Sequence, residues 1–226
     1  MNPKMFVATL VLVLVTAALL VTTQAQQLRK GVSVQMASTH NASPMPEADR
    51  EDAWIVTVTA EGNLFFGADP MTPDELGEWM KTHPRNREAK LYIKADAGAS
   101  FSAVDRVLRI ADEMDFHAPV LLTAQPEQTP PGAMVPPKGL EVLVGAPTRA
   151  EIVVQVNSNR EPVLEVNGEQ TSWAALQSVL RGLLQNQSEK GVLIKAGGKV
   201  TFAQVASVVD TCRSLGAMPT LTTPEL

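Results

Sequence analysis

The sequence predicts an α/β (α+β) protein in which an N-terminal transmembrane helix is followed by two repeated small domains. The run Met5–Thr23 carries no charged residue and is long enough for a membrane helix. Behind it, Lys30–Met36 returns as Lys138–Val144, and Leu91–Ala95 returns as Val192–Ala196. A period of about 100 residues is too long for a solenoid and long enough for a domain core. We therefore expect each copy to form a mixed four- to five-stranded sheet with two helices on one face.

The repeat divides the chain into four parts. They are an anchor at 1–29, a first domain at 30–123, a Pro-rich linker at 124–137 and a second domain at 138–226. Prolines favour extended polyproline II, so we expect the linker to be semi-rigid. Unpaired strands at the margins of small sheets favour pairing between the copies. We expect an intramolecular pseudo-dimer in preference to two independent beads.

The apolar run has two interpretations. As a helix it would extend about 28 Å, close to the thickness of the hydrocarbon core of a bilayer. A cleavable signal peptide is the alternative, because Thr23-Gln24-Ala25 resembles a small-x-small cleavage site. We favour a retained anchor, since the run exceeds the usual apolar core of a signal peptide, about 7–15 residues. The residues assigned to the anchor are Phe6, Leu10, Leu12, Leu14, Leu19 and Leu20.

Local patterns predict the elements of the first copy. His40–Asp52 is polar and contains proline, which indicates a flexible spacer. Thr72 caps a helix through a capping box with Glu75. The predicted strands are Val32–Met36, Ile55–Thr59, Leu64–Phe66, Leu91–Ala95 and Val120–Leu122, and the second helix is Phe101–Met114.

The second copy repeats this order. The predicted strands are Leu140–Val144, Ile152–Val156, Val163–Val166, Val192–Ala196 and Pro219–Thr222, with helices after Ser172 and at Phe202–Leu215. Helical spacing predicts that Val104, Val107, Val205 and Val208 are buried, and that Leu176, Val179, Leu180 and Leu183 point inward.

Composition and motifs argue against several classes of function. The net charge is −5 and there is no basic block, which argues against nucleic acid as a partner. The three histidines have no neighbour at metal-ligand spacing, and no catalytic or nucleotide-binding motif is present. We therefore expect no enzyme activity, no cofactor and no metal.

Two single residues, Asp96 and Cys212, each have two possible interpretations. Asp96 lies where a strand meets a helix, and we interpret it as a turn or capping residue in preference to a functional carboxylate. Cys212 lies on an apolar helix stripe, which favours a buried residue. Intermolecular pairing is the alternative for this thiol.

The pattern resembles the ExbD/TolR family of biopolymer transport proteins over about the first 120 residues. The matching segments are Leu10–Val15, Gly31–Val34, Val56–Val58, Ile93–Asp96 and Val104–Thr123. The resemblance implies one membrane helix, a juxtamembrane strand and a periplasmic domain. The second copy is similar to the same domain without a membrane helix of its own.

The resemblance also implies a function. Members of the family sit in the bacterial inner membrane with their C-terminal domains in the periplasm, beside a polytopic partner of the ExbB/TolQ type. Val32, Val34 and Met36 match the juxtamembrane strand and are the candidate partner-facing residues. The family uses a transmembrane aspartate as proton carrier, whereas Met5–Thr23 contains neither Asp nor Glu. The chain therefore departs from the family at the proton site.

Three functions remain open at this point. The first is a subunit of a biopolymer transport complex driven by the proton gradient. The second is a membrane-tethered periplasmic module that binds the cell wall or another envelope protein and has no motor activity. The third is a secreted protein released by signal cleavage, and an enzyme is the least favoured class.

Overall fold

The computed structural model describes residues 32–83, 89–116, 118–125, 136–145, 152–158, 162–185, 187 and 189–222. Within these ranges the chain is a mixed α/β protein with two sheets and four α-helices. No helix in the described part is both long and apolar enough to cross a membrane. The anchor at 1–29, with Phe6 and the assigned leucines, lies outside the described residues and stays a prediction.

The first sheet has seven strands within the described residues, in the order β1-β7-β6-β5-β2-β3-β4. The central strands β2, β5 and β6 are parallel, and β3, β4, β7 and β1 are antiparallel to their neighbours. The strands are β1 Ser43–Pro44, β2 Trp54–Val58, β3 Leu64–Phe66, β4 Asp69–Met71, β5 Leu91–Ala95, β6 Val120–Thr123 and β7 Lys138–Glu141. Its helices are α1 Pro73–Thr82 and α2 Phe101–Glu113.

The second sheet has six strands within the described residues, in the order β11-β10-β9-β12-β13-β8. They are β8 Leu143–Val144, β9 Ile152–Ser158, β10 Pro162–Val166, β11 Glu169–Thr171, β12 Gly191–Ala196 and β13 Met218–Thr222, with helices α3 Leu176–Leu184 and α4 Phe202–Ser214. Five strands of each sheet share one order and one set of directions. We call these two groups of strands and helices the first and second units.

Local chemistry explains the helix starts. Glu75 N donates to Thr72 Oγ1 at 3.2 Å, and Thr72 N donates to Glu75 Oε2 at 2.7 Å, so the predicted capping box is confirmed. A second capping box joins Thr201 and Gln204 at the start of α4, and the sequence analysis missed it. In both helices the box satisfies amides that have no partner inside the helix.

The helix faces pack into one core. Val104, Val107, Val205 and Val208 are each 0% exposed, which confirms the predicted stripes. Buried residues of all four helices and of both sheets belong to the same apolar cluster. The core therefore runs without interruption from one unit to the other.

The sheets are larger than the four or five strands that we predicted. The missed strands β1, β4 and β11 are two or three residues long and carry sequences such as Asp-Pro-Met and Glu-Gln-Thr. Such short polar segments show no apolar alternation, so sequence periodicity cannot reveal them. They join their sheets because a neighbouring strand offers unpaired backbone groups.

The predicted flexible spacer at His40–Asp52 is also wrong. It contains β1 and a short 3₁₀ helix at Pro46–Asp49. Met45 and Ala48 are 7% and 2% exposed, and they cover the outer face of the first sheet beside Tyr92. These two apolar contacts and the pairing of β1 with β7 hold the stretch on the sheet.

Helix α3 differs from its prediction in two details. It begins at Leu176, and Ser172 instead accepts a hydrogen bond from Ala175 N in the preceding turn. Leu183 is 37% exposed, whereas Leu184 is 3% exposed. The inward stripe of α3 therefore consists of Leu176, Leu180 and Leu184, each at most 3% exposed.

We expect Val205→Asp to unfold the second unit, because it would bury an unpaired carboxylate in a fully enclosed position. The loss of unfolding free energy should exceed about 4 kcal/mol. Ser207→Asp is the matched control, since Ser207 is exposed on the same helix. Thermal unfolding followed by circular dichroism measures both variants, and a Val205→Asp variant as stable as the control would refute the core assignment.

Candidate functional site: the junction of the two units

The two units meet through a reciprocal pair of backbone hydrogen bonds. Phe101 N donates to Val200 O at 2.7 Å, and Phe202 N donates to Ala99 O at 2.8 Å. Phe202 lies 101 positions after Phe101, and Val200 lies 101 positions after Ala99. The second bond is therefore the first one with the two copies exchanged.

A second reciprocal pair flanks the first. Ser102 N donates to Gly198 O at 3.1 Å, and Ala203 N donates to Ala97 O at 3.0 Å, again with a spacing of 101 positions. An antiparallel bridge between Ser100 and Thr201 lies at the centre. A contact in which residue i meets j and j meets i is the isologous geometry of a two-fold dimer. Here one chain supplies both halves.

A glycine permits a close contact at one position of the junction. A Cβ at Gly198 would lie 3.2 Å from Ser102 Cβ, closer than most real contacts of this kind. The glycine thus permits the close approach of the two backbones. The same segment forms a turn, in which Val200 N donates to Gly197 O at 2.9 Å.

The segment Lys138–Val144, which contains β7 and β8, passes from the first sheet to the second beside this junction. β7 pairs antiparallel with β6 in the first sheet, and β8 pairs parallel with β13 in the second. Val142, between them, donates its N–H to Pro119 O at 3.1 Å. A Cβ at Gly139 would lie 2.4 Å from Val120 Cγ1, so this close approach excludes any side chain there. The crossing strand holds both sheets by main-chain hydrogen bonds.

Residues 32–41 form a second connection, which we call the strap. Lys94 Nζ donates to Val32 O at 3.1 Å, and burial lowers the pKa of this ammonium group. Gln35 N donates to Asp96 Oδ2 at 3.0 Å, and Gln35 O accepts from Ala97 N at 2.7 Å. The start of the strap therefore lies over the carboxyl end of β5.

The predicted strand Val32–Met36 lies in this strap. Val32, Val34 and Met36 are half-buried and alternate with exposed residues, as the pattern predicts. The prediction of a strand is nevertheless wrong, since within Val32–Met36 only Met36 makes an isolated β-bridge, to Asp96. That these residues face a partner stays a prediction.

The far end of the strap reaches the second unit. Ala124 N donates to Ala37 O at 2.9 Å, and Thr39 N donates to Ala124 O at 3.0 Å. The next two amides bind the second unit, since His40 N and Asn41 N donate to the carboxylate of Asp210 at 3.1 Å and 2.7 Å. Asp210 lies on α4, so the strap spans both units.

The structure bears on the interpretations of Asp96 and Cys212. Asp96 Oδ1 accepts from Gly98 N at 2.9 Å, which confirms the turn role, and its other oxygen holds the strap. Cys212 is 0% exposed, which confirms a buried apolar environment, and burial raises the pKa of its thiol to about 12. Among the described residues, no group of His, Cys, Asp or Glu is placed to hold a metal ion.

Asp105 is a buried carboxyl group on α2 that sequence reasoning missed. Its side chain is 7% exposed, and Oδ2 pairs with Arg109 Nη2 at 3.0 Å. Oδ1 is buried without a hydrogen-bond partner. Desolvation outweighs the attraction of Arg109 and raises the pKa of Asp105 from 3.8 to about 6.

An aromatic cluster joins β2 and α1 in the first unit. Trp54 packs against Phe66, Trp79 and Phe116 with ring centroids 5.4–5.8 Å apart. His83 stacks on Trp79 at 3.9 Å. Trp54 and Trp79 are therefore packing residues of the first unit.

The family model of the biopolymer transport protein ExbD/TolR matches residues 6–126 and again residues 120–219. The chain belongs to the ExbD/TolR family. The double match is consistent with a duplicated ExbD/TolR domain, and the first match includes the apolar N-terminal run. No curated protein matches the chain.

We expect Asp105→Asn to stabilise this ExbD/TolR chain at pH 7.5. The pKa of Asp105 rises on folding from 3.8 to about 6, so its favourable contribution is complete below pH 3.8 and is lost as the pH rises through 6. The difference between variant and wild type should therefore grow by roughly 2 kcal/mol between pH 4 and pH 7.5. Urea unfolding at three pH values measures it. The control is Glu113→Gln, an exposed site on the same helix, and parallel curves for wild type and Asp105→Asn would refute the effect.

We expect Gly198→Val to loosen the junction. The added side chain must displace Ser102, and overpacking of this kind costs about 1–3 kcal/mol. Gly182→Val is the matched control, because a Cβ there meets nothing within 4 Å. Small-angle scattering should show a more extended particle for Gly198→Val alone, with lower thermal stability. Identical scattering curves for both variants would contradict a tight junction.

Proposed function

We propose that this ExbD/TolR-family chain is a single-pass inner-membrane subunit of a biopolymer transport complex linked to the proton gradient. Its family indicates a role in biopolymer transport. In the proposal the N-terminal run anchors the chain beside a polytopic ExbB/TolQ-type partner, and the two units act in the periplasm. The role is that of a coupling arm and not of an enzyme.

The observation that carries the proposal is the reciprocal junction. Its four backbone hydrogen bonds have the symmetry of a two-chain dimer. A single-domain member would need two copies to form such a contact. We infer that this chain brings a complete pair of domains to the complex behind one anchor.

The proton step then belongs to another subunit. A carboxyl group inside a membrane is costly and is kept for function. Met5–Thr23 offers threonines but no Asp or Glu, and a threonine hydroxyl does not titrate near neutral pH. We propose that the chain receives motion from its partner and transmits it through the strap and the junction.

The absence of that carboxyl group also favours the second candidate. In this alternative the chain is a membrane-tethered periplasmic module that binds the cell wall or an envelope protein without motor activity. The two candidates share the anchor and the paired units. They differ in whether a polytopic membrane protein accompanies the chain.

We expect the full-length chain to remain in carbonate-washed membranes and to co-purify with a polytopic ExbB/TolQ-type protein after mild detergent extraction. The retained run Met5–Thr23 supplies the membrane affinity. Mass spectrometry of the purified chain reports its N-terminus and its companions. A soluble product that begins at Gln26 would refute the anchor. A membrane-bound chain that brings down only envelope proteins would favour the second candidate.

A further inference from the structure

The strap and the junction share one residue, Ala97. Ala97 N donates to Gln35 O in the strap, and Ala97 O accepts from Ala203 N at the start of α4. The same helix carries Asp210, whose carboxylate accepts the amides of His40 and Asn41 at the other end of the strap. The contacts therefore form a closed cycle that runs from the strap through Ala97 and α4 and back to the strap.

We propose that Asp210 is the latch of this cycle, so that release of the strap and loosening of the junction are one coupled event. The proposal concerns a conformational device and stands apart from the transport role. It gives the strap, which eight residues separate from the apolar N-terminal run in the sequence, a direct connection to the second unit.

The geometry of the latch is that of a dedicated binding site for two successive amides. His40 N lies 3.1 Å from Asp210 Oδ2, and Asn41 N lies 2.7 Å from Oδ1. Asn41 Nδ2 adds a contact of 3.1 Å to Oδ2. Both oxygens are used, and the side chain is only 12% exposed. Hydrogen bonds to a shielded carboxylate are stronger than those between neutral groups.

The carboxylate of the latch has no counterpart at the corresponding position of the first unit. The position 101 residues before Asp210 is Arg109, which pairs with Asp105 on its own helix. Within the described part of the second copy, Gly145 lies beside α2, where a Cβ would lie 3.0 Å from Asp112 Oδ1. The carboxylate at 210 thus couples the N-terminal side of the chain to the second unit.

The test is site-resolved hydrogen exchange on the full-length chain in detergent micelles. In Asp210→Ala we expect the amides of His40 and Asn41 to exchange at least about tenfold faster, since their acceptor is gone. Coupling predicts that the junction amides of Phe101 and Phe202 also exchange several-fold faster, although Asp210 contacts neither. Asp210→Asn keeps an acceptor without the charge and should give a smaller change in the same amides.

Two further variants make the test decisive. Ser207→Ala, on an exposed site of the same helix, should leave every rate unchanged. Asn41→Ala removes only the two Nδ2 contacts, to Asp210 O and Oδ2. It leaves α4 intact and should give an intermediate acceleration at both places, even if Asp210→Ala fails to fold. Unchanged rates at His40 in Asp210→Asn and Asn41→Ala would show that Asp210 is not a latch. Faster exchange in the strap with unchanged rates at Phe101 and Phe202 would overturn the coupling.

Discussion

The structure depends on four backbone hydrogen bonds that join the start of α2 to the start of α4. The first amides of a helix have no partner inside it, and an unpaired buried amide is costly. Here Phe101 and Ser102 donate to the second unit, while Phe202 and Ala203 donate to the first. Each unit thereby completes a helix of the other, so neither helix start is satisfied by its own unit alone.

This constraint explains the other connections. Phe101 and Phe202 are among the largest fully buried side chains, and they enter the core directly behind the shared hydrogen bonds. With the helix starts fixed, the edges of β6 and β13 lie close enough for one short extended segment, Lys138–Val144, to pair with both. The strap can then reach Asp210 across the same boundary. The junction is thus the prerequisite for each longer-range contact.

The sequence predicts those features that a local pattern encodes. Strand Leu91–Ala95 and the valine stripes around Val104 and Val205 follow from periodicity, and the capping box at Thr72 follows from residue type and spacing. These elements owe their form to neighbours within a few positions. The agreement is therefore physical and does not depend on the family resemblance.

The features that the sequence did not reveal depend on distant partners. Asp210 and Asn41 are 169 positions apart, and nothing near either residue marks the pair. The strands β4 and β11 are polar and form because a hairpin neighbour offers its free edge. The raised pKa of Asp105 arises from burial of its carboxyl group. Periodicity predicts burial for apolar side chains, but it does not predict that an acidic side chain among them is buried. Tertiary context, in each case, outweighs local preference.

The presence of two similar units within one chain has a consequence for how the contact between them can change in evolution. In a dimer of identical chains every substitution appears twice across the axis, so a carboxylate that helps one side must be tolerated on the other. Here position 109 is an arginine and its counterpart at position 210 is an aspartate. One mutation alters one half of the contact, and each half is free to acquire its own chemistry while the shared backbone hydrogen bonds preserve the geometry.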